Sequence, residues 1–375
     1  MPLKMPPPAA EFSWGQVSAF RLRRQHLLEP APSIVEAARD LAGVQAQVLS
    51  CAEMSLFLRS EGVDRETVGT ALWRDRSLIK LWAMRGTLHL FPADEMGLWA
   101  AALGSRRHYL REAWMRFYGI TASDVEQVVE AVAGALDGRC LTREELSREI
   151  IARTGKSHLA ERLASGWGGL LKPASYRGHL CFGPNRGRNV TFTRPELGSR
   201  PPEDQAVAEV ARRFLRAYGP ATHAEFARWW GGQITEGREI FAAMGSQLTP
   251  ILVEGRRLWV LTADLETLTA LTPVDDLLLL GGFDPYTLHL SPHAEALLPA
   301  RGLKDRVFRT AGWVSPIICD GGRIAGVWTH RKAGRRLRVE IEPFGRLNVA
   351  KRRRAAAAAE RIARFLELEP AIAFH

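Results

Sequence analysis

Residues 64–92, DRETVGTALWRDRSLIKLWAMRGTLHLFP, combine a helix pattern and a β-hairpin pattern in one short segment. The first part predicts a helix near residues 64–74 because its apolar residues recur at helical spacing. Arg85-Gly86-Thr87 is typical of a turn, and the alternating residues LHLF that follow predict a strand. A winged-helix unit consists of helices followed by a β-hairpin, so this segment predicts a winged-helix fold.

The same order of elements recurs twice further along the chain. Residues 121–194 contain helices that begin with capping-box patterns at Thr121 and Thr142, and then the ribbon segments GHLCFG and RNVTFTR. Residues 202–261 contain further helix patterns and then LTPILVEGRRLWVL, with Glu254-Gly255 at the predicted turn. We therefore expect three winged-helix units in series.

From residue 275 onward, short apolar strands with glycine-rich turns replace the helix patterns, and an amphipathic helix near 349–370 closes the chain. The predicted fold is α+β, mainly α, with three tandem winged-helix motifs (helix-turn-helix plus β-hairpin) and a small C-terminal β-rich domain. The predicted segments are a disordered lead-in over 1–11, winged helices over 12–120, 121–200 and 201–274, and a β-domain over 275–375 with a basic hairpin and the terminal helix.

Charge indicates the kind of partner. The chain has 51 Lys and Arg against 41 Asp and Glu, which gives a formal net charge of +10 and a pI near 9.9. The basic residues cluster, and such clusters with interleaved aromatic residues suit a phosphate backbone. Nucleic acid is therefore the expected partner, and the solvated surface of an arginine-rich chain is the alternative. The clusters lie at 21–24, 105–111, 331–338 and 351–354.

The sequence gives no support for a membrane-spanning or a secreted protein. No apolar run approaches the roughly 20 residues that span a membrane, and MPLKMPPPAAEFSW at the N-terminus lacks the apolar stretch of a signal peptide. We therefore expect a cytoplasmic protein with no membrane contact. Length and composition are those of an ordinary globular protein, and we expect a monomer.

Cysteine and histidine spacings do not predict a metal site. Cys51, Cys140, Cys181 and Cys319 are far apart in the chain, which favours buried structural thiols. The pair His289 and His293 has helical spacing, but a proline lies between them and the glutamate of a zinc-binding helix is missing. No metal and no cofactor are expected.

The segment 43–48, GVQAQV, places two neutral amides inside an apolar run. Residues i and i+2 of an α-helix point roughly 200° apart, so Gln45 and Gln47 share a side only where the backbone is extended. Gly43 provides a break at this point. Either the two side chains are exposed polar residues at a helix break, or they line a site that uses them.

Five segments together resemble the winged-helix DNA glycosylases of the AlkZ type. They occur in the expected order between residues 41 and 328, and they are more specific as a set than singly. The segments are LAGVQAQ, LWAMRGTLHLF, LLKPASYRGHLCFGP, FLRAYGPATHAEFARWWG and GWVSPIICDGGRIAGVW. The resemblance implies a C-shaped scaffold of three winged helices with a C-terminal β-domain, in agreement with the pattern of elements.

The resemblance also implies an activity and a catalytic motif. Members excise alkylated bases, typically N7- or N3-alkylated purines such as N7-alkylguanine and N3-alkyladenine, including bulky adducts and interstrand crosslinks left by natural-product alkylators. Their active site carries a Gln-x-Gln or Gln-x-Asp motif, and Gln45-Ala46-Gln47 matches the first form. The catalytic role is carried over to Gln45 and Gln47 alone.

Two segments are predicted to contact double-stranded DNA that contains alkylated bases. Arg85, Thr87 and His89 lie at the first wing, where a structural histidine is an equal alternative for His89. The hairpin over 323–342 is expected to pack Trp328 inward, with a solvated basic turn as the alternative to DNA contact. Its predicted DNA-binding residues are His330, Arg331, Lys332, Arg335 and Arg336.

Other function classes remain open at this point. A non-catalytic winged-helix regulator of similar charge is the main alternative to a DNA glycosylase. A bifunctional glycosylase with lyase activity needs a reactive lysine, and no lysine lies in the glutamine motif, so we expect a monofunctional enzyme. A role in general DNA repair and a role in self-resistance of a producer of an alkylating compound fit the sequence equally well.

Overall fold

The computed structural model describes residues 7–375. Their contacts divide the chain into two compact units. The first unit comprises the residues up to Thr67 together with Ala211–Trp229 and Gln233–His375, and the second comprises Val68–Val210 and Trp230–Gly232. The predicted segment boundaries at 120, 200 and 274 stay predictions, since this division joins stretches that are distant in sequence.

The helices and strands are labelled in chain order. The helices are α1 Trp14–Arg24, α2 Ile34–Asp40, α3 Leu49–Arg59, α4 Thr67–Trp73, α5 Met96–Gly104, α6 Glu112–Tyr118, α7 Ala122–Ala135, α8 Arg143–Thr154, α9 Ala160–Ala164, α10 Lys172–Tyr176, α11 Glu203–Tyr218, α12 His223–Trp230, α13 Ile234–Met244, α14 Leu265–Ala270, α15 Pro285–Leu290, α16 Ala294–Leu297, α17 Lys304–Val307 and α18 Val349–Phe365. The strands are β1 Glu11–Phe12, β2 Val44–Gln45, β3 Leu78–Trp82, β4 Leu88–Pro92, β5 Leu141–Thr142, β6 Cys181–Arg186, β7 Asn189–Thr193, β8 Leu248–Val253, β9 Arg256–Leu261, β10 Leu277–Leu280, β11 Ile317–Asp320, β12 Arg323–Ala333, β13 Arg336–Pro343 and β14 Glu369–Phe374. The predicted α+β class is confirmed.

Helix starts follow the local sequence signals. Ser33 caps α2 by accepting a hydrogen bond from the backbone N–H of Glu36. Thr121 and Thr142 both form complete capping boxes, with Asp124 and Glu145 as the reciprocal partners. Each box satisfies two backbone N–H groups that the helix itself leaves unpaired, so the residue pattern alone decides where α7 and α8 begin.

Three antiparallel hairpins follow helices along the chain, as the pattern predicts. They are β3–β4 and β6–β7 in the second unit and β8–β9 in the first. The predicted turn of the last hairpin is confirmed, with Glu254 and Gly255 both at positive φ (45° and 78°). Two consecutive positive φ values are typical of the tight turns that suit the twist of a hairpin.

The N-terminal segment is part of the first unit. Strand β1 pairs in parallel with β8, and the backbone N–H of Ala9 donates to Pro250 O at 2.9 Å. The predicted disordered lead-in is therefore wrong for residues 9–11, and its residues 1–6 lie outside the described residues. Buried side chains of α1 share one apolar core with β10, β11 and α15, which ties the start of the chain to its C-terminal part.

The C-terminal part contains a five-stranded sheet in the order β10-β11-β12-β13-β14. Its first four strands are antiparallel, and β14 adds in parallel to β13. Helix α18 packs an alanine-rich face against the sheet, where Trp328, Val339 and Ile341 are buried with Ala359 and Ile362. Burial of this apolar surface is the main stabilising contribution that we assign to the C-terminal part.

Two expectations for the C-terminal part are corrected. The chain ends in strand β14 and not in a helix, although α18 itself is confirmed. A proline argues against a strand, but Pro370 is tolerated in β14 because β14 lies at the edge of the sheet. The segment 285–290, expected to be β-rich, forms helix α15, which Asp284 caps through the backbone N–H of Tyr286.

Among residues 7–375, no helix is both long enough and apolar enough to cross a membrane.

Candidate active site

The glutamine motif Gln45-Ala46-Gln47 lies in an extended segment between α2 and α3. Gln45 ends β2, and α3 begins two residues after Gln47. Val44 and Ala46 are fully buried, Gln45 is half-buried and Gln47 is exposed. This alternation is that of an extended backbone, whose side chains at i and i+2 point to the same side. The predicted break between two helices is confirmed, with the strand covering Val44–Gln45 and Gln47 in the bend that follows.

The chain leaves α2 through two residues in left-handed conformation. Ala42 has φ of 51° and Gly43 has φ of 92°. The backbone N–H of Gly43 donates to Ala38 O at 2.9 Å and that of Ala42 donates to Arg39 O at 3.0 Å. These bonds satisfy the last carbonyls of the helix and turn the chain sharply into β2. Gly43 supplies the conformational freedom that the turn requires.

A buried tyrosine holds the entry to the motif. The Tyr218 hydroxyl donates to Leu41 O at 2.7 Å, and both residues are buried. The Tyr218 ring stacks on His289 with 3.6 Å between the ring centroids and 17° between the planes. His289 lies 2.7 Å from Pro285 O through its Nδ1. The histidine predicted not to bind metal therefore serves as a structural support beside the motif.

A buried ion pair holds the C-terminal end of α3, the helix that follows the motif. Arg59, the last residue of α3, donates from both terminal nitrogens to the Asp284 carboxylate, at 2.7 and 2.8 Å. Both side chains are 0% exposed, and the Ser55 hydroxyl donates to the same carboxylate at 3.4 Å. Two charges in one apolar interior are tolerated only when they are paired and hydrogen-bonded. The pair fixes the axis of α3, which starts directly after the motif.

The Gly281-Gly282 segment packs against the first turns of α3. A Cβ atom on Gly281 would lie 3.0 Å from Met54 Cγ, and one on Gly282 would lie 3.7 Å from Cys51 Sγ. Burial, with a smaller contribution from the Asp284 charge, raises the pKa of the Cys51 thiol. Cys51 therefore stays protonated near neutral pH and is a poor nucleophile although it lies one helical turn after Gln47.

The alternating burial places two amide groups on one side of the chain, directly after the turn that Tyr218 holds. Amide oxygens accept hydrogen bonds and carry fixed dipoles, so they orient water and favour positive charge nearby. Gln45, Gln47 and the nearby Glu53 each have interaction partners within the chain. The arrangement suits a reaction that needs a positioned water more than a strong base.

The hairpin tip, residues 329–336, lies at the turn between β12 and β13. Trp328 is 1% exposed and donates from Nε1 to Leu280 O at 2.9 Å, so its predicted inward packing is confirmed. His330 stacks on Trp328 with centroids 5.2 Å apart, and the resulting desolvation lowers the pKa of His330. All the residues predicted to bind DNA at this tip are exposed, namely His330, Arg331, Lys332, Arg335 and Arg336.

The hairpin register adds one basic residue that sequence reasoning missed. Arg331 lies directly opposite Arg338, and both side chains are exposed. Like charges opposite each other destabilise a hairpin. A sequence signal for Arg338 was available. Residues i and i+2 of a strand share a face, so Arg338 lies on the same outer face of β13 as Arg336.

The three predicted residues of the first wing have different environments. Arg85 is exposed, in a turn with φ of 56°. Thr87 donates its hydroxyl to Met84 O at 3.1 Å and so supports the turn. His89 is 2% exposed, with Nδ1 3.1 Å from Thr87 O, so its predicted DNA contact is corrected to the structural alternative. Residues 89–92 of β4 are all buried, so both faces of the strand are covered, which the alternation of the sequence could not show.

Among residues 7–375, no group of three or more His, Cys, Asp or Glu side chains is placed to hold a metal ion. All four cysteines are free thiols, but only Cys181 and Cys319 are buried. The expectation of buried thiols is therefore wrong for Cys51 and Cys140, which are half-buried.

Comparison with known proteins defines the class of this chain. The DNA glycosylase AlkZ-like family matches residues 38–365. The interstrand DNA cross-link repair glycosylase of Streptomyces sahachiroi is 43% identical over 327 residues, which cover 84% of this chain and 87% of that protein. The solved structure of Streptomyces sahachiroi DNA glycosylase AlkZ superimposes with a TM-score of 0.88 at 39% identity, covering 97% of this chain and 100% of that one.

These matches show that the chain is a DNA glycosylase. It belongs to the AlkZ-like DNA glycosylase family, because the family matches well over half of its residues. Membership confirms the resemblance seen in the five sequence segments. It also decides against the non-catalytic regulator as the class of protein.

Proposed function

We propose that the enzyme hydrolyses the N-glycosidic bond of cationic alkylated purines in duplex DNA, with N7-alkylguanine and N3-alkyladenine as substrates. Gln45 and Gln47 orient the attacking water and stabilise the sugar cation, with no lyase step. The observation that carries this proposal is the pair of amides that the alternating burial places on one side of the chain, directly after the turn that Tyr218 holds.

The chemistry matches the polar groups available. Glycosidic hydrolysis passes through an oxocarbenium-like state and usually needs an acid and a base or nucleophile. A purine alkylated at N7 or N3 already carries positive charge, so it leaves without protonation. The remaining task is to place water and favour positive charge on the sugar, which fixed amide dipoles can do. An amide is too weak a base to serve neutral lesions, so the enzyme is restricted to cationic ones.

We also propose that the substrates include bulky natural-product adducts and interstrand crosslinks. The name of the Streptomyces sahachiroi relative, an interstrand DNA cross-link repair glycosylase, supports this range. General repair and self-resistance both remain roles for such an activity.

The scaffold is proposed to contain three winged-helix units over 12–120, 121–200 and 201–274. Support comes from the three hairpins that follow helices in chain order. We propose a monomer that acts on the nucleoid in the bacterial cytoplasm. DNA binding is proposed for the exposed basic residues of the hairpin tip together with Arg85 and Thr87.

A defined duplex tests the proposed activity. DNA with a single N7-methylguanine is incubated with the enzyme, and abasic sites are cleaved with alkali and counted. We expect excision of N7-methylguanine and none of O6-methylguanine, which carries no positive charge. Equal excision of both lesions would contradict the restriction to cationic bases. A duplex with an N7–N7 crosslink, analysed on a denaturing gel, tests unhooking in the same reaction.

A further inference from the structure

The second unit contains a cavity of about 210 Å³ that the glutamine motif does not use. Its lining includes three cationic residues and no carboxylate. Tyrosine and tryptophan rings and the His108 imidazole form the rest of its polar and aromatic wall. The cationic residues are Arg85, Arg106 and Lys172. A cavity with this charge selects anionic ligands.

The hydroxyl oxygen of Tyr176, a residue only 1% exposed, is buried at this cavity without a hydrogen-bond partner among residues 7–375. Burial raises the pKa of Tyr176 to about 12, so its hydroxyl is a protonated donor. An unpartnered buried polar group costs about 1–3 kcal/mol, and each such group calls for an explanation such as an absent ligand.

An ammonium group joins the Tyr176 hydroxyl at the same point. A Cβ atom on Gly86 would lie 3.2 Å from Lys172 Nζ and 3.4 Å from the Tyr176 hydroxyl oxygen. No carboxylate among residues 7–375 pairs with Lys172, and burial lowers its pKa. The charge of Lys172 is therefore uncompensated, and the two donors converge on a position that an anion can occupy. Gly86 keeps this position open because it has no side chain.

Arg106 supplies a second, fixed cation. It donates to Gly231 O at 3.0 Å, and its guanidinium lies 5.0 Å from the Trp230 ring centroid and 5.8 Å from that of Tyr176. A guanidinium held on aromatic faces keeps its orientation with little loss of side-chain freedom on binding. Desolvation and then the charge of Arg106 lower the pKa of His108 to about 4, so the ring is neutral.

Exposed aromatic residues beside the cavity identify the source of the anion. Phe117 is 63% exposed and Trp167 is 77% exposed. The segments that carry them meet where the Tyr118 hydroxyl packs against Gly169, and both of these residues line the cavity. Exposed rings next to a cationic site suit nucleic acid, whose bases stack on aromatic residues while cations hold its backbone.

We propose that this cavity binds a phosphate group of the DNA backbone, with Lys172 and the Tyr176 hydroxyl as direct ligands and Arg106 as a fixed positive charge. The proposal rests on the proposed DNA substrate. It adds a contact that is separate from the glutamine motif and from the hairpin tip.

The test measures binding of a fluorescent, undamaged duplex across a series of salt concentrations, so it does not depend on excision. Lys172→Met is compared with Lys304→Met, because Lys304 is exposed and lies outside the cavity. Lys172→Met is expected to weaken binding roughly tenfold and to lower the salt slope by about 0.9, the value for one phosphate contact. Lys304→Met is expected to change neither quantity. Equal effects of the two variants would overturn the proposal.

Tyr176→Phe provides a second variant that keeps the ring. It is expected to weaken DNA binding a few-fold and leave the melting temperature unchanged or raised, because the removed hydroxyl has no partner in the free protein. A lowered melting temperature with unchanged DNA binding would show that the hydroxyl is structural, and would overturn the proposal.

Inorganic phosphate distinguishes between a phosphate of the DNA backbone and a free phosphate ion as the anion that the cavity binds. If 20 mM phosphate raises the melting temperature of the wild type but not of Lys172→Met, while both bind DNA with the same salt slope, the cavity holds a free anion and the DNA assignment fails. If N7-methylguanine is not excised but Lys172→Met still weakens DNA binding as expected, the proposed substrate is rejected and the phosphate site is retained.

Discussion

The glutamine motif and the hairpin tip both belong to the first unit, but they differ in how the fold treats charge. At the C-terminal end of α3, the helix that follows the motif, a fully buried arginine and a fully buried aspartate neutralise each other at 2.7 Å. At the tip, Arg331 and Arg338 lie directly opposite each other and both are exposed. One region is made rigid by a compensated pair, and the other retains a repulsion that a ligand would relieve.

The difference corresponds to the different physical requirements of a catalytic site and of a surface that binds a polyanion. A site that stabilises a transition state must hold its groups in place before the substrate arrives, because reorganisation during the reaction raises the barrier. A surface that binds a polyanion needs uncompensated charge, which water and salt solvate until the ligand binds. Four predictions, from the largest expected effect to the smallest, test this comparison.

The largest effect is expected from breaking the buried pair. Arg59→Met leaves the Asp284 carboxylate buried and unpaired, which costs about 3–5 kcal/mol in the free energy of unfolding. Chemical denaturation followed by circular dichroism measures this loss. The double variant Arg59→Met/Asp284→Asn, which retains a capping residue for α15, is expected to recover a large part of it. A loss below about 1 kcal/mol in the single variant would show that the pair does not hold α3.

The motif itself is expected to act on rate and not on stability. Gln45→Ala and Gln47→Ala each remove a water-orienting group, at a cost of about 2.7 kcal/mol of barrier or less because the lesion is intrinsically labile. Single-turnover excision of N7-methylguanine should therefore slow by roughly 100-fold or less, with DNA binding and melting temperature nearly unchanged.

Two further variants frame the motif experiment. Gln127→Ala, at an exposed position of α7, is the matched control and should excise at the parental rate. Gln47→Asp should retain activity because a carboxylate accepts the same hydrogen bond. If both alanine variants of the motif excise as fast as Gln127→Ala, catalysis lies elsewhere in the molecule.

The hairpin tip is expected to act on binding and not on folding. Replacement of Arg331, Lys332, Arg335 and Arg336 by alanine should weaken duplex binding roughly tenfold or more near physiological salt and flatten the salt dependence, because phosphate contacts are lost. The melting temperature should change little, since these side chains are exposed. Lesion excision should slow at subsaturating enzyme.

The control removes the same charge elsewhere in the first unit. It replaces four exposed residues of that unit that lie outside the tip and outside the other basic clusters, namely Arg301, Lys304, Arg309 and Arg346. If both quadruple variants lose the same affinity, net charge and not the tip accounts for DNA binding.

The smallest effect tests the repulsion at the tip. Arg331→Thr should raise the free energy of unfolding by a few tenths of a kcal/mol, because it removes one of two like charges that lie opposite each other. The same variant should bind DNA more weakly. Lys332→Thr is the control, since Leu337 and not a cation lies opposite Lys332. A loss of stability in Arg331→Thr, or an equal gain in Lys332→Thr, would show that repulsion between Arg331 and Arg338 does not destabilise the hairpin.

Local sequence signals predicted local structure well. The caps at Thr121 and Thr142 and the turn at Glu254-Gly255 are confirmed, because each feature depends on residues within four positions of one another. Gly43 marked the break that makes the glutamine motif extended. The family resemblance, which no single pattern carried, pointed to the two glutamines.

Long-range features were beyond the sequence patterns. Arg59 and Asp284 are 225 residues apart, and nothing in either segment indicates its partner. The burial of His89 and the added edge strand β14 depend on which surfaces the fold covers. The cavity at Lys172 brings together side chains from several separate segments, and no spacing rule connects them.

The sequence by itself determined the order of helices and hairpins, the extended glutamine motif, the basic character of the tip and the family. These properties come from neighbouring residues, whose backbone preferences and charges act over a few positions. The tertiary structure alone decided which charges are paired and which are left uncompensated. Pairing depends on burial, because a charge in the interior must find a partner, whereas a charge in water need not.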